Sequence, residues 1–228
     1  MTFCESVENA GFSVVPGVLS TECTRRLLKK ISELRPSRSR AGIRHALQLA
    51  PIAEIAHLPL VAGLARELLG SKAFPFHATL FEKSSQSKWL VVWHQDTALP
   101  LRQRVERSGW GPWSVKEGVV YAHAPADALS QVLALRVHLD DSVTQNGPLR
   151  VLPGTHAMGV LSDDTIHELS TQTPPVECLV PTGGVVAMRP LLVHASSKSQ
   201  SDIPRRVLHI EYAASDSIAA PLELAITS

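Results

Sequence analysis

The first third of the chain has hydrophobic spacing typical of helices. In the segment from Ser20 to Leu34, "STECTRRLLKKISEL", apolar residues recur on one stripe at a helical period, and Ser20 or Thr21 can serve as the N-cap. A second segment, residues 51–69, is rich in Ala, Leu and Glu and is followed by Gly70, which suits a helix C-terminus. These patterns predict a helical N-terminal part over residues 1–70.

After Gly70 the pattern changes to short β-branched or alternating runs separated by Gly, Pro, Asn, Asp and Ser. The runs are FPFHATLFEK, KWLVVWHQD, QVLALRVHLDD, VECLV, GGVVAMR and RRVLHIEYA. Six or more strands with no regular intervening helix argue against a parallel βαβ sheet. We predict a mainly β sandwich or barrel over residues 71–215, with the early helices packed on one outer face.

Two of the predicted strands alternate between apolar and polar side chains. In QVLALRVHLD one face carries Leu133, Leu135, Val137 and Leu139, and the other carries Arg136 and His138. In RRVLHIEYA, Arg205, His209 and Glu211 share the face opposite the large apolar residues. If helices cover the apolar face, the polar face turns to water or into a lumen. A lumen lined by Arg, His and Glu would be a binding site.

Residues 101–130 are too long for an ordinary connection between strands, and we expect a functional lid or insertion there. This segment contains Trp110 and Trp113. The two tryptophans could close over a substrate, or they could act as packing anchors in a loop rich in Gly and Pro.

Composition gives no reason to expect a macromolecular partner. The chain has 228 residues, with 22 Lys plus Arg against 21 Asp plus Glu and a net charge of +1. Neither nucleic acid nor a membrane surface is therefore indicated, and a small-molecule partner is favoured. The length suits one domain over residues 1–228. Three cysteines without a CxxC pair, together with an N-terminus that lacks a leader pattern, favour the cytoplasm.

The run KWLVVWHQD ends in a His-x-Asp pair, His94 and Asp96, whose side chains point to the same side of a strand. On its own, such a pair is more often a surface or turn feature than a metal site. His194 ends another apolar run and could complete a set of two histidines and one carboxylate, which leaves three positions open on octahedral Fe(II). Arg205 could then bind the distal carboxylate of a 2-oxoglutarate co-substrate with its planar guanidinium.

Four motifs together resemble the phytanoyl-CoA dioxygenase-like branch of the Fe(II)/2-oxoglutarate-dependent oxygenases. They are WHQD, LRVHLDDSVTQNGPLRVLPGTH, MRPLLVHASS and PRRVLHIEY, and they cover roughly the last two thirds of the chain. The resemblance implies a double-stranded β-helix, which is a cupin-like jelly roll, with iron bound at its mouth by His94, Asp96 and His194.

The same resemblance implies roles for further residues. Arg205, helped by the hydroxyl of Ser196, would bind the distal carboxylate of 2-oxoglutarate, and Gln95 would contact its keto acid end. Arg206 is the fallback for Arg205, although alternation places it on the apolar face. Because the HxD motif keeps Asp96, hydroxylation is favoured over halogenation. The implied reaction uses dioxygen, hydroxylates a small organic molecule and releases succinate and carbon dioxide.

Two other classes of function use similar residues. A cupin-like protein could bind a metal or small ligand without turnover, because fold alone does not decide function. A zinc hydrolase could use similar ligands, but it would have no need for a carboxylate-binding arginine such as Arg205.

The sequence allows more than one role for several polar residues. His138, His209 and Glu211 could surround the metal, contact a substrate or form a satisfied polar core. Arg136 could bind an anionic group of a substrate or pair internally with Glu211. Lys83 could face the co-substrate or lie at a solvated strand end, and we favour the strand end.

Overall fold

The computed structural model describes residues 1–39, 42–83 and 90–226. The helices are α1 Phe3–Ala10, α2 Thr21–Leu34, α3 Ala50–His57, α4 Pro59–Leu69, α5 Ala126–Leu129 and α6 Asp163–Gln172. The strands are β1 Phe12–Val15, β2 Gly42–Ile43, β3 Phe74–Lys83, β4 Val91–His94, β5 Ala98–Leu101, β6 Trp113–Lys116, β7 Val119–His123, β8 Val132–His138, β9 Leu149–Val151, β10 Val176–Cys178, β11 Val185–Met188, β12 His194–Ser196 and β13 Arg205–Ala213. The first two residues of the predicted strand KWLVVWHQD, 88 and 89, lie outside the described residues.

Local sequence explains the start of α2 and the boundary between α3 and α4. Helix α2 starts after Ser20, whose hydroxyl accepts a hydrogen bond from the Cys23 amide at 3.1 Å, as the sequence predicts. The segment 51–69 forms two helices rather than one, because Pro59 has no amide hydrogen and occupies the first turn of α4 instead of the interior of a longer helix. In the part of the chain that the structure describes, every helix is too short or too polar to cross a membrane.

The strands form two larger antiparallel sheets and one smaller sheet. The first sheet has the order β1-β11-β8-β13-β3-β2, and the second has the order β10-β9-β12-β4. The third sheet, β5-β7-β6, comes mostly from the predicted insertion. The predicted mainly β fold of the jelly-roll type, with helices on one sheet, is therefore confirmed.

Side-chain alternation divides the six-stranded sheet into two faces. One face packs against helices α1 to α4 in the main hydrophobic core, which includes Leu135, Leu208 and Ile210. On the opposite face, apolar residues such as Val186 contact residues of the four-stranded sheet such as Leu149. We call the space between the two larger sheets the lumen. The predicted division of faces in β8 and β13 is thus confirmed.

The segment 101–130 contains strands β6 and β7 and helix α5. Its Trp110 is buried in a separate hydrophobic core with Leu99 and Leu101, and Trp113 packs against the same core. The structure therefore places both tryptophans as packing anchors. The function of the segment as a lid stays a prediction.

Replacing Leu208 with Ala should destabilise the fold strongly, because Leu208 is fully buried on the central strand β13. We expect the free energy of unfolding to fall by about 2–5 kcal/mol, as for other buried leucines. Leu60 is 66% exposed, so Leu60→Ala should change it by less than about 0.5 kcal/mol. Urea denaturation of the two variants measures both effects. Similar losses in the two variants would contradict the assignment of this core.

Candidate metal centre and adjoining cavity

Three of the predicted ligand residues lie together at one end of the lumen. Strands β4 and β12 pair in antiparallel fashion with His94 opposite His194, and Asp96 follows His94 by two residues. Nε2 of His94 lies 3.5 Å from Oδ1 of Asp96, and Nε2 of His194 lies 3.5 Å from Oδ2. One ligand atom from each residue lies within 4.8 Å of the others. This spacing suits one metal ion.

Backbone hydrogen bonds orient both imidazole rings. Nδ1 of His94 lies 2.8 Å from the Val92 carbonyl oxygen, and Nδ1 of His194 lies 2.9 Å from the Leu192 carbonyl oxygen. A carbonyl oxygen only accepts hydrogen bonds, so in each neutral ring we assign the proton to Nδ1 and a lone pair to Nε2. Two lone pairs and a carboxylate then face one another. This arrangement fits a cation among the three residues.

The protonation states of His194 and Asp96 suit metal binding. Burial lowers the pKa of His194 to about 4, so this ring is neutral at physiological pH. Burial would raise the pKa of Asp96, but the neighbouring His194 and His94 outweigh burial and hold it well below its usual range. Asp96 is therefore a carboxylate. Metal ligands must be deprotonated in this way.

A cavity of about 160 Å³ adjoins the cluster. Its polar wall includes Arg136, Ser196, Arg205 and His209 beside the three ligand residues. Its apolar wall is formed by Phe81, Val91, Leu149 and Ala195. The volume is smaller than the roughly 300–1,000 Å³ of sites for drug-sized ligands, so the enclosed space suits small molecules.

Two buried cations meet at one hydroxyl in this wall, and we call Lys83, Ser196 and Arg205 the Ser196 cluster. Ser196 Oγ accepts hydrogen bonds from Nζ of Lys83 at 2.6 Å and from Nη2 of Arg205 at 3.2 Å. It donates to the Gly147 carbonyl oxygen at 2.9 Å. Nε of Arg205 donates to the Asn146 carbonyl oxygen at 3.3 Å. The backbone carbonyls of Asn146 and Gly147 thus support the cluster from behind.

Lys83 is buried rather than solvated as predicted, with 1% of its surface exposed. Strand β3 pairs with β13, and Lys83 lies directly opposite Arg205, so both side chains face the lumen. Burial and the charge of Arg205 lower the pKa of Lys83 to about 7. Its charge therefore changes near neutral pH, and a nearby anion would stabilise the charged form.

Gln95 does not face the cavity, contrary to the prediction. Its amide nitrogen donates to the carbonyl oxygens of Gly159 at 2.9 Å and Leu191 at 2.7 Å, and its oxygen accepts from the Leu161 amide at 2.8 Å. The physical reason is that Gln95 follows the end of β4, and its three backbone contacts hold the amide away from the cavity wall. Gln95 instead ties loops together behind the metal cluster.

Arg206, the fallback for Arg205, forms a paired contact outside the lumen. Its Nε and Nη2 donate to the two carboxylate oxygens of Asp140 at 2.7 and 2.6 Å. Its guanidinium is therefore already paired with Asp140. Arg205, rather than Arg206, lines the cavity.

Arg136 and Glu211 do not form the internal ion pair that was one of the open alternatives. Nη1 of Arg136 lies 3.0 Å from Nδ1 of His209, and its guanidinium stands over the ring of Phe81 at 5.4 Å. Oε2 of Glu211 lies 2.7 Å from Nδ1 of His77. Neighbouring positions on the lumen face thus have different partners.

His138 is fully buried and does not line the cavity. Within residues 1–39, 42–83 and 90–226, neither of its ring nitrogens has a hydrogen-bond partner. Burial and the charge of Arg136 lower its pKa well below the usual value, so the ring is neutral. These facts favour a core position over a substrate contact.

Sequence reasoning missed His77 and Tyr121 as lumen residues. The Tyr121 hydroxyl lies 3.1 Å from Nε2 of His77, which extends the contact between His77 and Glu211. The alternation of FPFHATLFEK already places His77 on the same face as Lys83, so a signal was present. Tyr121 reaches this face from strand β7, and only the tertiary structure shows that.

Comparisons of sequence relate the chain to known proteins. The phytanoyl-CoA dioxygenase (PhyH) family matches residues 7–207. An L-proline trans-4-hydroxylase from Streptomyces griseoviridis is 27% identical over 186 residues, which cover 70% of this chain and 62% of the relative. The match therefore spans less than two thirds of that relative's length.

Solved structures share the fold at low sequence identity. AviO1 from Streptomyces viridochromogenes Tue57 has a TM-score of 0.67 and 24% identity, covering 92% of this chain and 93% of its own. EctD from S. alaskensis, solved with 2-oxoglutarate and 5-hydroxyectoine, has a TM-score of 0.71 and 19% identity, with coverages of 94% and 75%. The epimerase SnoN, in complex with Fe3+, alpha ketoglutarate and nogalamycin RO, has a TM-score of 0.70 and 20% identity, with coverages of 94% and 83%.

Replacing Lys83 with Met should change the pH dependence of stability. The pKa of Lys83 falls from its usual 10.5 to about 7 on folding, so between these values the unfolded chain binds more protons. The cost of burying Lys83 is then greatest below pH 7 and declines as pH rises. The free energy of unfolding of the variant minus that of the wild type should therefore fall between pH 7 and pH 10. Urea titrations measure this difference.

The exposed Lys72 provides the control, and Lys72→Met should show no comparable trend. A difference between Lys83→Met and wild type that stays constant across this pH range would contradict the assignment.

Proposed function

The chain belongs to the phytanoyl-CoA dioxygenase family, and we propose that it is an Fe(II)- and 2-oxoglutarate-dependent oxygenase that hydroxylates a small organic molecule. The observation that carries this proposal is the close cluster of His94, Asp96 and His194 beside a cavity whose wall holds the buried Arg205. A bound non-haem iron would supply oxidation by dioxygen, coupled to conversion of 2-oxoglutarate to succinate and carbon dioxide.

The metal would be held by Nε2 of His94, Nε2 of His194 and the carboxylate of Asp96. The backbone contacts of the two Nδ1 atoms support this assignment because they hold both rings with Nε2 turned towards the carboxylate. The pattern of two histidines and one carboxylate is typical of non-haem Fe(II) oxygenases.

The Ser196 cluster would bind the distal carboxylate of 2-oxoglutarate. Arg205 is 3% exposed and contacts only neutral oxygens of Asn146 and Ser196 among its hydrogen bonds in the described chain. Burial lowers its pKa to about 9, so it still carries its charge at neutral pH. A buried guanidinium of this kind favours an anion. Lys83 would add a second cation at the same hydroxyl when it is protonated.

The relatives support a small substrate. One is named as a hydroxylase of L-proline, and one structural neighbour was solved with 5-hydroxyectoine. Other neighbours are named as an epimerase and a carbocyclase, so the fold supports several outcomes. We propose hydroxylation because Asp96 retains its carboxylate and the curated relative is a hydroxylase. The free thiols of Cys4, Cys23 and Cys178 support the cytoplasm as the compartment.

Anaerobic addition of Fe(II) and 2-oxoglutarate to the wild type should produce a weak visible absorption band from the complex. His94→Ala or Asp96→Ala should remove this band, because each removes one metal ligand. The exposed His57 gives a control, and His57→Ala should keep the band. A correctly folded wild type without the band would overturn the proposed function. Metal binding without a response to 2-oxoglutarate would instead support the binding-protein alternative.

Replacing Arg205 with Ala should weaken binding of 2-oxoglutarate by about 10- to 100-fold, as expected for loss of a hydrogen-bonded charge pair. Titrating the same absorption band with 2-oxoglutarate measures the effect. The matched control is Arg206→Ala, because Arg206 follows in the same strand but binds Asp140 outside the lumen. Equal midpoints for Arg205→Ala and the wild type would remove Arg205 from the co-substrate site.

A further inference from the structure

Arg136 is a second buried arginine in the cavity wall, and the proposed co-substrate does not account for it. It lies on β8, between β11 and β13 in the six-stranded sheet, and is 7% exposed. Its Nη1 contacts His209 at 3.0 Å, and its flat face covers Phe81. Within the described residues its Nε is buried without a hydrogen-bond partner. The side chain also lines the cavity, so a ligand in the cavity can reach its guanidinium.

No carboxylate of the described chain forms an ion pair with Arg136, although the negative charge of Asp96 partly offsets the effect of burial on its pKa. No Asp or Glu in residues 1–39, 42–83 and 90–226 lies within ion-pair distance of it. Asp96 is the acidic residue in the described cavity wall, and it faces the two metal-binding histidines. Glu211 is held by His77. A buried arginine normally requires a partner, since an unpaired buried charge is costly.

The charge balance of the proposed complex also indicates that Arg136 needs an anionic partner. An Fe(II) ion and Arg205 together balance Asp96 and the two carboxylates of 2-oxoglutarate. In this count the positive charge of Arg136 has no matching negative charge. Protonation of Lys83 would add a second unmatched positive charge. His209, opposite Arg136, is four residues from Arg205 along β13, a separation of roughly 13 Å at the usual rise of a strand. The two arginines therefore enter the cavity from well-separated positions.

We propose that Arg136 binds a carboxylate of the primary substrate, so that the enzyme acts on small carboxylic acids. This inference rests on the proposed function, because that function assigns the distal carboxylate of 2-oxoglutarate to Arg205, and the open positions on the metal would take its keto acid end. Arg136 would orient the acid from the cavity wall, while His209 and Phe81 hold the guanidinium in place. The planar fork of arginine matches a carboxylate in this role.

The test uses the anaerobic complex of the full chain with Fe(II) and 2-oxoglutarate, and it reads the visible band rather than turnover. L-proline, L-valine and benzoate are titrated beside their primary amides, which have nearly the same shape but no charge. At least one acid should shift the band, and its amide should be at least tenfold weaker. Arg136→Gln should weaken the response to that acid by about tenfold or more, with the midpoint for 2-oxoglutarate changed by less than about threefold.

Two further variants guard against indirect effects. Arg136→Lys keeps the charge without the fork and should give an intermediate response. Arg206→Gln removes an arginine outside the lumen and should respond like the wild type. Equal responses to acids and amides, no response to any acid, or an unchanged response in Arg136→Gln would overturn the inference. Loss of 2-oxoglutarate binding in Arg136→Gln would also overturn it and assign Arg136 to the co-substrate.

The failures of the two proposals are distinguishable. A wild type that never forms the band contradicts the proposed oxygenase. A normal band that ignores the charge of the added compound contradicts only the role of Arg136.

Discussion

The register of β13 between β3 and β8 is the constraint on which the site depends. Leu208, Ile210 and Tyr212 are buried against the helices, so the residues between them must face the lumen. Arg205 and His209 consequently enter the cavity wall. A shift of one residue would place these polar groups in the apolar core and expose the core residues to the lumen. Burial of the apolar face thus determines which polar side chains enter the lumen.

The short strand β12 links the metal cluster to the Ser196 cluster. His194 and Ser196 are two residues apart, so both side chains point to the same side of the strand. His194 pairs with His94, whereas Ser196 pairs with Val91, which records a shift of register between them. Because one strand carries both residues, the distance between a metal ion and the distal end of a co-substrate would be set by backbone geometry. Such a distance does not depend on flexible loops.

The parts of the site that the sequence predicted are those governed by alternation within one strand. The common side of His94 and Asp96, and the lumen face of Arg205 and His209, both follow from a period of two. Contacts between distant strands were not predictable in this way. Lys83 looked like a solvated strand end because nothing local shows that Arg205 and Ser196 cover it. The partner of Glu211 could not be predicted, because its contact with His77 depends on the register between strands that are more than one hundred residues apart in sequence.

The lumen face collects buried cations whose desolvation the folded chain does not fully compensate. Burial is the first cause of the lowered pKa of Lys83, Arg136 and Arg205 alike, and the arginines lower that of Lys83 further. These side chains therefore reduce the stability of the free protein. An anionic ligand would offset the desolvation of these cations. Part of its binding free energy would therefore come from charge pairing that the chain does not provide by itself. Buried charges that destabilise the ligand-free fold can be retained because they select and bind anions.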